Sequence, residues 1–149
     1  MTWDDYFMNI AMVTAMRSKD PNYKIGCVLV TDDNKIVGTG YNGMPRHPSK
    51  DNDKLIDWTA RPKLMIIHAE MNAILNMTIT SNGPLRAYVT DESCVDCIKH
   101  MIQAGVRKVY YLNPVPENYD NEQRKLLIKN YADVIQFIHY SPKEVVVRR

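Results

Sequence analysis

The chain has 149 residues, 45% of them hydrophobic and 24% charged, with a formal net charge of +2 and three cysteines. That length can bury a core without disulfides, three cysteines do not make a disulfide framework, and so small a charge excludes a surface built to wrap a nucleic-acid backbone. No apolar run approaches the roughly 20 residues of a membrane span, and Met1-Thr2-Trp3-Asp4-Asp5 is not a basic-then-apolar leader. The expectation is one cytoplasmic domain over residues 1–149, with a small substrate and neither nucleic acid nor membrane as a partner.

Thr2 followed by Asp5 has the form of a capping box, and Trp3, Phe7, Ile10, Ala11 and Thr14 recur at helical spacing toward a core. This helix is expected to stop near Ser18–Pro21, ahead of the proline. Ile25–Thr31 and Lys35–Tyr41 read as strands joined through Asp32-Asp33-Asn34 into a hairpin. Residues 42–63, with Pro45, Pro48 and Pro62, lack periodicity, and loops so long inside a compact domain are usually functional. Beyond them the expected elements are a helix over Ile67–Met77, a strand over Leu85–Thr90, a helix over Cys94–Ala104 and a strand over Val106–Leu112. A helix capped by Asp120 and Gln123 runs through Tyr131, and a last strand covers Asp133–Tyr140. The order α-β-β-α-β-α-β-α-β predicts an α/β, three-layer α-β-α fold, with a five-stranded mixed sheet whose last strands are parallel.

In that order His68 stands where one helix begins, and Cys94 and Cys97 where the next begins. One His and two Cys leave a fourth zinc position for water, as a catalytic site does and a closed structural site does not. Glu70, two residues past the His, offers a carboxylate that moves protons and stays off the metal. Two helix N-termini meeting there favour thiolates. A rival reading closes the tetrahedron with His100. Each three-residue step on a helix falls short of a full turn by about 60°, so His100 lies about 120° round from Cys94 and a turn deeper. His47 and His139 have no spacing relation to the cluster, and Cys27 reads as a small buried apolar residue. The chemistry these residues suit is hydrolytic deamination of a nucleobase.

Further segments carry a resemblance. Arg17-Ser18-Lys19-Asp20-Pro21-Asn22, Gly40-Tyr41-Asn42-Gly43-Met44-Pro45, His68-Ala69-Glu70-Met71-Asn72-Ala73-Ile74 and Gln103-Ala104-Gly105-Val106 together resemble the deoxycytidylate (dCMP) deaminases of the cytidine deaminase superfamily, up to about Tyr140. The resemblance implies a cytidine-deaminase-like fold, Zn2+ on His68, Cys94 and Cys97, and Glu70 as the catalytic proton carrier. It implies hydrolysis of dCMP to dUMP and ammonia, supplying dUMP for thymidylate synthesis. It sets Arg17, Ser18 and Lys19 near the substrate phosphate, Asn42 on the sugar, the Ala69 amide on the pyrimidine carbonyl, and Tyr119 or Tyr110 on the base. It also implies a homohexamer activated by dCTP and inhibited by dTTP, with an effector site at Gly40, Tyr41, Asn42 and Gly43 and Mg2+ accompanying the nucleotide. As residues alone, Arg17 and Lys19 equally fit a solvated helix end, Asn42 a turn and Tyr110 the core.

Ser93 departs from the pattern, since the superfamily usually has Pro before its first Cys. Its hydroxyl is expected to cap the helix instead. Two alternatives stay open. One is another cytosine nucleotide such as dCTP, with Lys50, Lys54, Arg61 or Lys63 meeting the extra phosphates. The other is a catalytically inactive zinc-binding assembly module, for which Ser93 speaks and against which the intact Glu70 speaks.

Overall fold

The first strand of the sheet sends its side chains alternately to two different cores, and that alternation builds the three layers. In the computed structural model, which describes residues 1–55, 57–59, 64–78, 83–116 and 122–146, this strand is β1 (Gly26–Thr31). Cys27 and Leu29 enter one core and Val28 and Val30 the other. β1 pairs antiparallel with β2 (Ile36–Tyr41) through the turn at Asn34, which takes a positive φ of 66°. On its other side β1 pairs antiparallel with β3 (Leu85–Asp91). β3, β4 (Val106–Asn113) and β5 (Gln136–His139) are parallel, and the sheet order is β2-β1-β3-β4-β5. The predicted mixed sheet with parallel last strands is the observed one.

On one face lies α1 (Trp3–Ala15), opened by Thr2, whose Oγ accepts from the Asp5 amide at 3.1 Å. Phe7, Met8 and Ala11 are fully buried against Val28, Val30 and Tyr88. Trp3, expected in the core, is 57% exposed, because the buried stripe is phased on Phe7, Met8, Ala11 and Ala15. Trp3 instead stacks on the outer side of Phe7, with ring centroids 5.6 Å apart. The helix also ends earlier than expected, at Ala15.

The other face carries α2 (Ala69–Leu75), α3 (Val95–Ala104) and α4 (Glu122–Asn130). Gly40 sets how closely α2 approaches β2: a Cβ there would lie 2.3 Å from the Ala73 nitrogen and 2.5 Å from the Ala69 carbonyl oxygen. α3 ends at Gly105 with φ of 100°, a left-handed cap that suits glycine. α2 starts later than expected because Ile67 is paired with Gly43, each amide donating to the other's carbonyl at 2.8 and 3.1 Å. The last strand starts later too, since the Val134 and Ile135 amides turn back onto the Tyr131 carbonyl. The expected cap at Asp120 lies outside the described residues. No helix among the described residues is long and apolar enough to cross a membrane.

Candidate metal centre

Two helix starts, from α2 and α3, bring the ligand set together. His68 is the N-cap of α2 and Cys94 the N-cap of α3, and neither side chain spends itself on a capping hydrogen bond. Cys97 sits one turn into α3. The Gly43–Ile67 bridge anchors the backbone just before His68. His68 Nδ1 lies 3.5 Å from Cys94 Sγ and 3.4 Å from Cys97 Sγ, and all three ligand atoms fall within 4.8 Å of one another. Zinc bonds of ordinary length at tetrahedral angles require an N-to-S edge of about 3.6 Å. The residues present therefore fit a tetrahedral ion with one position open.

Electrostatics favour the same use. The Cys94 thiol is pulled down to about 4, first by its hydrogen bond with Cys97 and then by His68, against the opposing effect of burial. The Cys97 thiol is pushed up by the same bond and by burial. Hydrogen bonding to Cys94 raises His68, outweighing desolvation. The cluster thus already carries thiolate character at Cys94, and a metal bound there would displace the remaining protons. His100 is outside this group; its Nδ1 bonds to the Asp96 carbonyl at 2.6 Å. His47 accepts loop amides and His139 stacks on Tyr111.

Glu70, in the first turn of α2, is 4% exposed and is not one of the clustered ligands. Burial raises its carboxyl above the usual range, with the Ser93 hydroxyl acting in the opposite direction. A carboxyl so raised holds its proton more readily than a solvated one, which suits a group that both takes and gives a proton. Cys27 is wholly buried, and burial, then the nearby Glu70 charge, pushes its thiol well up.

His68, Glu70 and Cys94 line a cavity of about 640 Å³, together with Asn42, Asp91 and Glu92. The other residues singled out from the sequence take distinct places. Ser18 is buried, its hydroxyl donating to the Asn42 carbonyl at 3.0 Å and accepting from the Asp20 amide at 3.2 Å. Asn42 Oδ1 accepts from the Ile25 amide at 2.9 Å and its Nδ2 donates to the Tyr23 carbonyl at 2.7 Å. These bonds lock the segment after α1 to the segment after β2. Arg17 and Lys19 are exposed and do not line the cavity; the Arg17 guanidinium lies 6.0 Å from the Tyr41 ring centre. Ala69 is fully buried. Tyr110 stacks on Tyr88 at 4.7 Å on the α1 face, across the sheet from the cavity. Tyr119, Arg61 and Lys63 lie outside the described residues, while Lys50 and Lys54 are exposed.

A second cavity, of about 410 Å³, is lined by Tyr41, Gly43, Arg46, Asn72 and Asn76 among others. Gly40 lines neither cavity.

Sequence reasoning missed the clamp behind Cys94. Arg124 of α4 is 5% exposed; its Nε donates to the Ser93 carbonyl at 2.8 Å and an NH2 group donates to Glu92 at 2.7 Å. The other Glu92 oxygen accepts from the Val115 amide at 3.1 Å. An arginine in a polar helix carries no signal of this; the adjacency of Glu92 and Ser93 to Cys94 was the available clue. The N-cap is Cys94, so Ser93 does not cap α3 as expected.

Residues 1–113 match the family model of the cytidine and deoxycytidylate deaminase zinc-binding region. The Homo sapiens deoxycytidylate deaminase is 39% identical over 150 residues, covering 96% of this chain and 82% of that protein. The Mus musculus deoxycytidylate deaminase is 37% identical over 150 residues, with the same 96% and 82% coverage. Among solved structures, the dCMP deaminase from the cyanophage S-TIM5 in complex with dCMP and dUMP is similar with a TM-score of 0.71 at 26% identity, over 91% of this chain and 95% of that one.

Proposed function

Because the chain belongs to the cytidine and deoxycytidylate deaminase family, we propose that it hydrolyses dCMP to dUMP and ammonia and so feeds thymidylate synthesis. The observation that carries this reading is the open His68, Cys94 and Cys97 set beside a buried carboxylate that is not itself a ligand. Zinc held by these three residues supplies a Lewis acid that lowers the pKa of water at its open position. Glu70 accepts the proton that the attacking water loses and delivers it to ring nitrogen N3. It then takes the remaining proton of the hydroxyl added to the ring carbon and passes it to the amine, which leaves as ammonia while that hydroxyl becomes the carbonyl. Burial suits Glu70 to both tasks by bringing its proton affinity closer to neutrality. Asn42, braced on both sides, faces the sugar, and the Ala69 amide meets the pyrimidine carbonyl. Arg17, Ser18 and Lys19 serve the phosphate end, and Tyr119 packs on the base.

The same proposal includes regulation, in a cytoplasmic homohexamer. The smaller cavity takes the effector, dCTP activating and dTTP inhibiting, with Mg2+ on the triphosphate. Its support is the alternation along Tyr41-Asn42-Gly43: Asn42 lines the larger cavity, whereas Tyr41 and Gly43 line the smaller one. A ligand that shifts this segment changes both sites, provided it prefers one conformation over another.

The test is ammonia release from dCMP, CMP, deoxycytidine and dCTP by metal-quantified protein, with and without dCTP as effector. Turnover confined to dCMP at one zinc per chain, with a sigmoidal response that dCTP makes hyperbolic, is the expected result. Zinc without turnover of any of the four overturns the reading.

A further inference from the structure

Glu92 holds two loops at once. Its Oε2 accepts from Arg124 at 2.7 Å, and Arg124 also holds the Ser93 carbonyl beside the metal ligand Cys94. Its Oε1 accepts from the Val115 amide at 3.1 Å, while its own amide donates to the Asn113 carbonyl at 2.9 Å. Glu92 thus straddles Pro114. The preceding residue repeats the tie, with Asn113 Nδ2 donating to Asp91 Oδ1 at 3.1 Å. The Glu92 side chain is only 16% exposed and both of its oxygens are occupied, so it acts on its neighbours and not on a ligand.

What Glu92 holds is a wall of the larger cavity. Pro114, Val115 and Pro116 line it together with His68, Glu70 and Cys94, and with Ile25 and Ile66 they supply its aliphatic surface. The two prolines fix their own φ and keep Asn113 and Val115 extended, so the segment is stiff. Prolines carry no N–H, and the Val115 amide is therefore the one backbone donor within 114–116. Glu92 takes that donor. A wall that bears no charge and whose single N–H is already used has nothing to offer a phosphate. It suits the flat face of a base, from which it excludes water.

We propose that Glu92 is a positioning residue for the nucleobase: through Val115 it fixes the Pro114–Pro116 wall on which the pyrimidine packs. This rests on the deaminase reading above, which brings the reacting carbon to the open metal position beside Cys94. The two ends of the Glu92–Arg124 pair then have separate tasks. Arg124 steadies the loop that carries the metal ligand, and Glu92 steadies the surface that receives the base.

The experiment compares the zinc-loaded full chain with E92Q, which keeps the shape but has one acceptor oxygen, and E92M, which has none. Arg124, the charged donor, claims the Gln oxygen and leaves the Val115 N–H without its acceptor. Each protein is read for kcat, KM for dCMP, zinc per chain, and the dissociation constants of dUMP and of 2-deoxyribose 5-phosphate, which lacks the base. Loss of one hydrogen bond to a carboxylate predicts that E92Q raises KM and the dUMP dissociation constant about tenfold. The kcat at saturation, the zinc content and the binding of the base-free sugar phosphate should stay within about twofold. E92M should lose at least as much dUMP affinity; if the lone Arg124 charge unfolds it, E92Q decides. An E92Q protein with wild-type KM and dUMP affinity overturns the proposal. So does an equal loss for 2-deoxyribose 5-phosphate, which would make the effect general to the site, or a fall in zinc content, which would place it on the metal loop. Wild-type protein that binds dUMP but releases no ammonia from dCMP sinks the deaminase reading alone, since the dUMP comparison still decides the wall.

Discussion

The α1 face and the metal centre across the sheet bury polar groups in opposite ways. On the α1 face the buried Asp5 and Asn9 are fully occupied. Asp5 accepts from the Tyr140 hydroxyl and from the Lys143 and Glu144 amides, and Asn9 bonds the Glu144 carbonyl and the Val146 amide. Together they strap residues 140–146 onto the helix. On the α2–α3 face His68 and Cys94 leave their helices uncapped, Ser93 has no partner, and Glu70 is buried at a cost that raises its pKa. Satisfied polar groups specify a structure, whereas unsatisfied ones held in place are available for chemistry. The contrast separates the scaffold from the site without reference to any ligand.

The strongest way to break this contrast is Glu70→Ala. Removing a proton carrier should lower kcat by about 10³- to 10⁴-fold, while zinc content stays at one per chain and thermal stability is unchanged or higher. Near-wild-type turnover would take Glu70 out of the mechanism. Next is Arg124→Met, which strands Glu92 and frees the loop leading into Cys94. The expected cost is about 3 kcal/mol in denaturant unfolding, since one partner of a largely buried pair is left alone. Zinc retention against a chelator should weaken with it; an unchanged midpoint and unchanged retention would reduce the clamp to a surface contact.

On the strapped face the effects should be smaller and leave catalysis alone. Asn9→Ala is expected to cost about 1 kcal/mol through the lost tail bonds, with kcat and KM for dCMP unaltered; a change in kcat would tie the strap to the site. The smallest effect is on pH. The Tyr140 hydroxyl bond, helped by the Lys143 and Glu144 amides, holds Asp5 below the usual carboxylate range despite its burial. A depressed folded pKa contributes stability above the unfolded value and loses it as pH falls through the folded one. The Lys143 and Glu144 amide signals should therefore keep their strapped chemical shifts at mild acidity and lose them only below the unfolded aspartate value, about 3.9. Asp5→Asn should abolish that acid step, and its persistence in the variant would assign it to another group.

Much of this molecule is written in local patterns. Strand periodicity, the Asp32–Asn34 turn and the helix starts at His68 and Cys94 were readable because each depends on a few neighbouring residues. So was the ligand set, since a His and a Cys-x-x-Cys at two helix starts need only the helices to converge. The misread points each required a partner distant in sequence. Trp3 fell outside the core because the packing of β1 and Tyr88 chose the phase of α1. For Tyr110 the alternative the sequence had left open, the core, is the one that Tyr88 and Tyr140 select.

The sequence by itself determined the order of elements, the metal ligands and the carboxylate beside them, because local geometry and chemical type suffice for these. Only the tertiary structure decided that the Ser93 hydroxyl lies buried, and that Arg124 from α4 clamps the loop behind it. It also decided that Tyr41, Asn42 and Gly43 divide between two cavities. Those facts depend on which surfaces meet when the sheet twists and the helices pack, and no short-range pattern encodes the meeting.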